Sequence, residues 1–224
     1  MGVILNIETA TTNCSVSIAK DENLLAIKEF DSASYSHAEQ LHLFIEEVVK
    51  NASLELNDLN AIAVSKGPGS YTGLRIGVSA AKGLCFALDI PLISIPTLES
   101  IANKEKEFTV DYIIPVLDAR RMEVYSAVYN DALVEIRETR AEIIEENSFE
   151  EYAAKGIVLI VGSGAEKCKE ILKSINFKFQ TTAVPSAKEM VLLSNKKFKE
   201  NNFENVAYFE PYYLKDFIAL KKKS

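Results

Sequence analysis

Histidine is scarce in this 224-residue chain, where His37 and His42 are the only two. Five residues apart, they would stand about 140° apart around a helix of about 3.6 residues per turn, too far round to share one metal. Zinc-binding helix pairs sit at i and i+4, and the position that would complete the pair is Leu41. No H-E-x-x-H motif is present, so a metalloprotease has no ligands, and a Ser or Cys protease would need its nucleophile beside one of these two histidines. Cysteine is equally sparse. Cys14, Cys85 and Cys168 are odd in number, widely separated and free of C-x-x-C pairing, which argues against a zinc site or disulfide framework and fits a reducing compartment. No hydrophobic run approaches the ~18 residues of a membrane span, and Met1 opens directly into Gly2, Val3, Ile4 and Leu5 without a basic segment. The expectation is a soluble, cytoplasmic protein with no membrane partner. Positive charge is also short: the net charge is −7, with 8 basic and 14 acidic residues in 1–110 and 17 and 18 in 111–224. A protein gripping nucleic acid alone would show a basic face, and only Lys221, Lys222 and Lys223 cluster, at an end read as solvated.

What the chain does have is 48% hydrophobic content, ample for a sizeable core, and a glycine-rich stretch. Five of its nine glycines, Gly67, Gly69, Gly73, Gly77 and Gly83, fall in SKGPGSYTGLRIGVSAAKG. A hydrophobic run at 61–64 enters this stretch as a buried strand and a helical pattern leaves it, the grammar of a phosphate or close-contact site. The spacing fits neither common cradle. One residue too many separates Gly69 from Gly73 for G-x-G-x-x-G, and no Lys-Ser or Lys-Thr pair follows for a P-loop. In the helix, Gly73, Gly77 and Ala81 recur every four residues as a small-residue ridge that allows close approach of another helix. Glycine inside a helix costs ~1 kcal/mol against alanine, so a contact should compensate.

Along the chain, residues 4–8, 14–19 and 24–30 read as three antiparallel strands, with Glu8, Thr9, Thr11 and Asn13 crowded at the first turn. Such a turn could hold a phosphate or satisfy its own backbone. Ser36 and Glu39 form a capping box, followed by an apolar stripe of Leu41, Phe44, Ile45, Val48, Val49 and Ala52. A short strand at 92–95 lies between Pro91 and Pro96, and a helix from 97 fades into charged residues 103–107, the candidate boundary between halves. The second half repeats the opening at an offset of 110: Glu8 falls on Asp118, Ile18 on Val128 and Asp21 on Asp131. A buried strand at 156–161, the turn Gly162-Ser163-Gly164 and a helix at 165–174 then echo the glycine stretch, so two similar lobes are expected. Residues 186–199 read as a helix, and the aromatic segment around Pro211 is expected to pack on a lobe.

Residues 4–20 and 36–41, the run GPGSYTGLRIG, and then PTLESIA, LDARRMEVY and EPYYL resemble the bacterial TsaB (YeaZ) family, over nearly the whole chain. The resemblance implies an α/β chain of the actin-like ATPase, sugar kinase and Hsp70 fold, with two similar ribonuclease-H-like lobes, here 1–106 and 107–224. It implies a non-catalytic scaffold and activator of the complex that transfers threonylcarbamoyl from its adenylate to the adenosine beside the tRNA anticodon. Its partners would be the paralogous catalytic subunit TsaD, as a heterodimer, and the ATPase TsaE, with tRNA met only through the complex and a homodimer formed alone. The catalytic relative holds a metal partly through H-x-x-x-H, and Leu41 replaces the second histidine here. No metal or required cofactor is expected, only weak ATP or ADP binding with Mg²⁺ accompanying the nucleotide.

Two sets of candidate residues follow. The partner interface is placed on His37, Leu41, Gly73, Arg75, Gly77 and Ala81, burying roughly 1,600 Å² in total if of ordinary size. Nucleotide or interlobe contacts are placed on Glu8, Thr9, Thr11, Asp118, Arg120, Arg121, Gly162 and Gly164. The arginine pair could contact a nucleotide, the partner or tRNA, or could pair with first-lobe acids across the cleft. An ATP-dependent kinase using Glu8 or Asp118 as base is the alternative of a different class.

Overall fold

In a computed structural model, residues 2–32, 36–105 and 108–215 are described. Two five-stranded sheets are built to one plan. In the first, β1 (Val3–Glu8) pairs antiparallel with β2 (Asn13–Lys20), which pairs antiparallel with β3 (Asn23–Asp31). On its other side β1 pairs parallel with β4 (Ala61–Gly67), and β4 with β5 (Leu92–Pro96), giving the order β3-β2-β1-β4-β5. The second sheet has β6 (Tyr112–Asp118), β7 (Glu123–Asn130), β8 (Glu135–Ile143), β9 (Val158–Val161) and β10 (Phe177–Gln180) in the order β10-β9-β6-β7-β8. Read from the opposite edge, that is the same topology, so the 110-residue offset marks a structural repeat. This is the expected arrangement of two similar lobes.

Period-two alternation places each side chain. Val3, Leu5 and Ile7 join Cys14, Val16, Ile18, Ile62 and Val64 on one face of the first sheet, under α1 (His37–Asn51) and α2 (Tyr71–Leu88). The α1 stripe of Leu41, Phe44, Ile45, Val48 and Val49 is buried there as the periodicity predicts. Its start differs from expectation. Ser36 makes no side-chain cap, and the first turn closes through Gln40 N–H to the Ser36 carbonyl at 3.0 Å.

The opposite face carries Ile4, Ala61, Ala63, Ile93 and Ile95, and packs against Ala187 and Met190, the latter in α6 (Met190–Lys199). The chain reaches that helix by docking on β2: Asn13 Nδ2 donates to the Pro185 carbonyl at 3.0 Å, and Ser17 Oγ to the Ala187 carbonyl at 2.9 Å. Conversely, α3 (Thr97–Lys104) sends Leu98, Ile101 and Ala102 into a cluster with Ile113, Leu117, Tyr129 and Leu159 of the second sheet. A division at 106 and 107 therefore separates the sheets, while one helix from each segment packs on the other's sheet. Residues 106 and 107, like the lysine cluster at 221–223, lie outside the described residues. The short α4 (Glu150–Ala153) and α5 (Ala165–Ile171) complete the second lobe. No helix among the described residues is long and apolar enough to cross a membrane.

Candidate functional site: the interlobe cleft

The repeat brings corresponding turns of the two lobes to one cleft of about 970 Å³. Its walls include Thr11 and Thr12 of the β1–β2 turn, residues 68–70 of the glycine turn, residues 118–121 of the β6–β7 turn, Ser163, and residues 212–215. Of the predicted residues, His37, Thr11, Gly73, Asp118, Arg120 and Arg121 line it. Glu8, Thr9, Gly162 and Gly164 do not.

The first-lobe wall is closed on itself. Gly73 and Gly77 lie directly against the β1–β2 turn: a Cβ on Gly73 would stand 2.1 Å from the Thr9 carbonyl oxygen, and one on Gly77 2.2 Å from Thr9 Oγ1. This contact is what offsets the helix-interior glycine cost. It is fastened by Thr9 Oγ1 donating to the Gly73 carbonyl at 2.8 Å and by Ser70 N–H donating to the Ala10 carbonyl at 2.6 Å. Ser70 caps α2, its Oγ accepting from Gly73 N–H at 3.3 Å. Thr9 is fully buried. Its hydroxyl and these N–H groups are committed within the chain, which removes Thr9 from the predicted nucleotide contacts.

The placement of a partner on the glycine ridge is corrected by the same geometry. Gly73, Gly77, Ala81, Leu41 and His37 are all buried within the chain, so a partner cannot reach them. Arg75 is the exception: two positions from both Gly73 and Gly77, it stands about 200° round α2 from each and faces solvent. What α1 and α2 expose instead are Leu43, at 58%, and Phe86, at 86%. His37 and His42 take opposite sides of α1, buried and exposed respectively. His37 Nε2 lies 2.7 Å from the Thr11 carbonyl, which can only accept, so Nε2 carries the proton. Burial lowers the His37 pKa from its ordinary value, which keeps the ring neutral.

Glu8 sits behind the turn rather than in the cleft and is fully buried. Its Oε1 accepts from Ala10 N–H at 2.6 Å, and Oε2 has no hydrogen-bond partner. Desolvation raises its pKa to about 7, opposed by the Ala10 and Thr9 N–H groups and the Ser65 hydroxyl, and reinforced by Glu189. A kinase base facing a bound substrate hydroxyl is therefore not what Glu8 provides. Asp118, its counterpart in the repeat, is half-exposed. Its Oδ1 accepts from Arg120 N–H at 2.7 Å and from Lys167 Nζ at 2.8 Å, the role of a turn and ion-pair residue.

Arg120 and Arg121 stand at the tip of the β6–β7 turn with φ of 69° and 52°, consecutive left-handed residues with side chains exposed. No ion pair joins either to a described residue, so the expected pairing with first-lobe acids is corrected. Gly162 follows β9 with φ 116°, much as Gly67 closes β4 with φ 108°. Gly164 donates its N–H to the Val116 carbonyl at 3.1 Å. Both therefore shape the β9–α5 turn, and Ser163 between them faces the cleft, its Oγ accepting from Asp118 N–H at 3.1 Å. No group of three or more His, Cys, Asp or Glu able to hold a metal occurs among the described residues.

The chain's last described segment was visible in the sequence only as aromatics around Pro211, expected to pack on a lobe. It crosses both. Tyr212 N–H donates to the Lys66 carbonyl at 2.7 Å, and Lys215 pairs with Glu123 of the second lobe. Tyr213 lies 4.9 Å from Tyr71, and the Arg75 guanidinium lies 4.2 Å over the Tyr71 ring while its Nε donates to Tyr213 Oη at 3.2 Å. Spacing could not reveal these partners, which lie 138 residues apart.

A family model described as TsaD, tRNA N6-adenosine threonylcarbamoyltransferase, matches residues 31–223. The tRNA threonylcarbamoyladenosine biosynthesis protein TsaB of Escherichia coli is 30% identical over 98% of this chain and 97% of its own. The protein of the same name from Haemophilus influenzae is 29% identical over 98% of this chain and 96% of its own. Among solved structures, a Pseudomonas aeruginosa protein with similarity to peptidase YEAZ superposes with a TM-score of 0.86 at 22% identity, over 96% of this chain and 100% of that one. YeaZ from the same organism superposes with a TM-score of 0.81, also at 22% identity and the same coverage. These two superpositions speak for the fold alone.

Proposed function

We propose a function from one premise: the chain belongs to the TsaB (YeaZ) family of tRNA threonylcarbamoyladenosine biosynthesis proteins. Within that pathway it acts as a non-catalytic scaffold and activator. It supports transfer of threonylcarbamoyl from its adenylate to the adenosine beside the anticodon by pairing with the catalytic subunit TsaD and, through the complex, with TsaE. The observation that carries this reading is the commitment of the first-lobe chemical groups to internal bonds. The Thr9 hydroxyl is held by Gly73, His37 Nε2 by Thr11, and Glu8 is walled in behind them. Leu41, one helical turn after His37, is fully buried in the core beneath α1 and offers nothing to a metal.

The partner contacts belong to the outer faces of α1 and α2, where Leu43 and Phe86 stand exposed. Large apolar side chains at such exposure are common interface anchors when they meet a complementary surface. The same faces serve a second copy when the chain is alone. No cofactor is required in this role.

Reconstitution tests the reading. Modification of tRNA by purified TsaD and TsaE, supplied with threonylcarbamoyl adenylate, should depend on adding this chain, and the chain alone should turn nothing over. Turnover by the chain alone would overturn the non-catalytic role. Elution of it and TsaD as separate monomers at micromolar concentration would overturn the pairing.

A further inference from the structure

The geometry points to the rim of the interlobe cleft as a docking surface for unpaired RNA, with phosphates on Arg120 and Arg121 of the second lobe and a base stacked on Tyr212, which docks on β4 of the first. The inference rests on the reading that the chain works in tRNA modification, and it assigns a contact that reading leaves unassigned. Asp118 is paired with Lys167 and Glu123 with Lys215. Arg120 and Arg121 remain exposed without an ion pair to any described residue, in a chain whose net charge is −7. Two consecutive arginines held at φ of 69° and 52° occupy a turn that Asn and Gly fill more readily, and such retained strain suggests that the side chains are needed where they are.

Aromatic surface accompanies the charge. Tyr212 is 43% exposed at the cleft, beside the contacting Tyr71 and Tyr213 rings and the Arg75 guanidinium over Tyr71. Tyrosine faces with interleaved guanidinium groups are what unpaired bases and their phosphates meet on single-strand-binding proteins. A compact free polyphosphate fits less well, because on the facing first-lobe wall the Ser70 and Gly73 N–H groups of the glycine turn are already bonded, to the Ala10 carbonyl and to Ser70 Oγ. Cations along one wall suit a phosphodiester chain passing over the cleft.

The test measures binding of the full chain to a fluorescein-labelled single-stranded RNA of mixed sequence and to the same RNA annealed to its complement, by anisotropy across salt. The single strand should bind more tightly. Replacing both arginines, Arg120→Gln with Arg121→Gln, should weaken binding about tenfold or more and flatten the salt slope by about 1.4, the loss of two phosphate contacts. Tyr212→Ala should weaken it about tenfold at unchanged slope. Lys199→Ala, a cation on α6 paired with Glu22, should change nothing, and circular dichroism should show all variants folded. Absent binding, equal affinity for duplex, or unaltered affinity in the arginine and tyrosine variants each overturns the proposal. Displacement of the RNA by ATP alone would reassign the cleft to free nucleotide, and displacement by polyglutamate to an acidic protein segment. Co-purification with TsaD is read separately, so failure here leaves the scaffold reading standing.

Discussion

Replacing Glu8 by Gln should change how the stability of this protein depends on pH. Glu8 is fully buried, one carboxylate oxygen is without a hydrogen-bond partner, and its pKa is raised from 4.5 to about 7. Below pH 4.5 the group is protonated in both states and its contribution to stability is fully present. As pH rises from there to about 7, the unfolded chain ionises while the folded one keeps its proton, so stability falls; above about 7 the loss is complete. A shift of this size corresponds to about 3 kcal/mol. The carboxamide keeps the oxygen that accepts from Ala10 N–H and never ionises. Glu8→Gln should therefore be nearly neutral at low pH and more stable than the parent by about 3 kcal/mol at alkaline pH. Urea unfolding of both proteins at several pH values, followed by fluorescence and circular dichroism, reads the difference. The subtraction cancels titrating groups that do not interact with Glu8, including Glu105 and Glu135, which are also raised, and His37, which is lowered. Parallel pH profiles for the two proteins would refute the assignment of Glu8 as the buried titrating acid.

Two glycines of α2 should respond to alanine with opposite sign. At Gly73 a Cβ meets the Thr9 carbonyl at 2.1 Å, a backbone atom that cannot rotate away, so Gly73→Ala should destabilise by about 1–3 kcal/mol or more. Nothing lies within 4 Å of a Cβ at Gly83, so Gly83→Ala should stabilise by up to ~1 kcal/mol; chemical denaturation measures both. Phe86→Asp, at a side chain 86% exposed, should leave the isolated chain's melting temperature within a few degrees while abolishing co-elution with TsaD. Comparable losses of folding and association would return Phe86 to a structural role.

The two-lobed design was legible because strands buried on one or both faces write their period into the sequence. β1 and β2 have apolar residues wherever the core requires them, and β6 and β7 repeat the pattern 110 residues later. β8 was not anticipated. It is an edge strand, largely in contact with solvent, and its residues EIRETRAEI carry little of the alternation that burial imposes. The exchange of α3 and α6 between the sheets was equally hidden, since an apolar stripe records that a helix is covered and not by what.

The sequence by itself determined the repeated strand plan, the α1 stripe, the glycine spacing that fits no phosphate cradle, and the separation of His37 from His42 around one helix. All of these depend on the local periodicities of helix and strand. Only the tertiary structure decided what the small residues of α2 face. Gly73 and Gly77 could seat a partner helix or their own β1–β2 turn with the same spacing, and the Thr9 carbonyl lying where a Cβ would be chose the turn. The fates of Glu8 and of the arginine pair were decided the same way. One ionisable group was enclosed and the other two left open by segments distant in the chain, and the desolvation that separates them arises only when those segments meet.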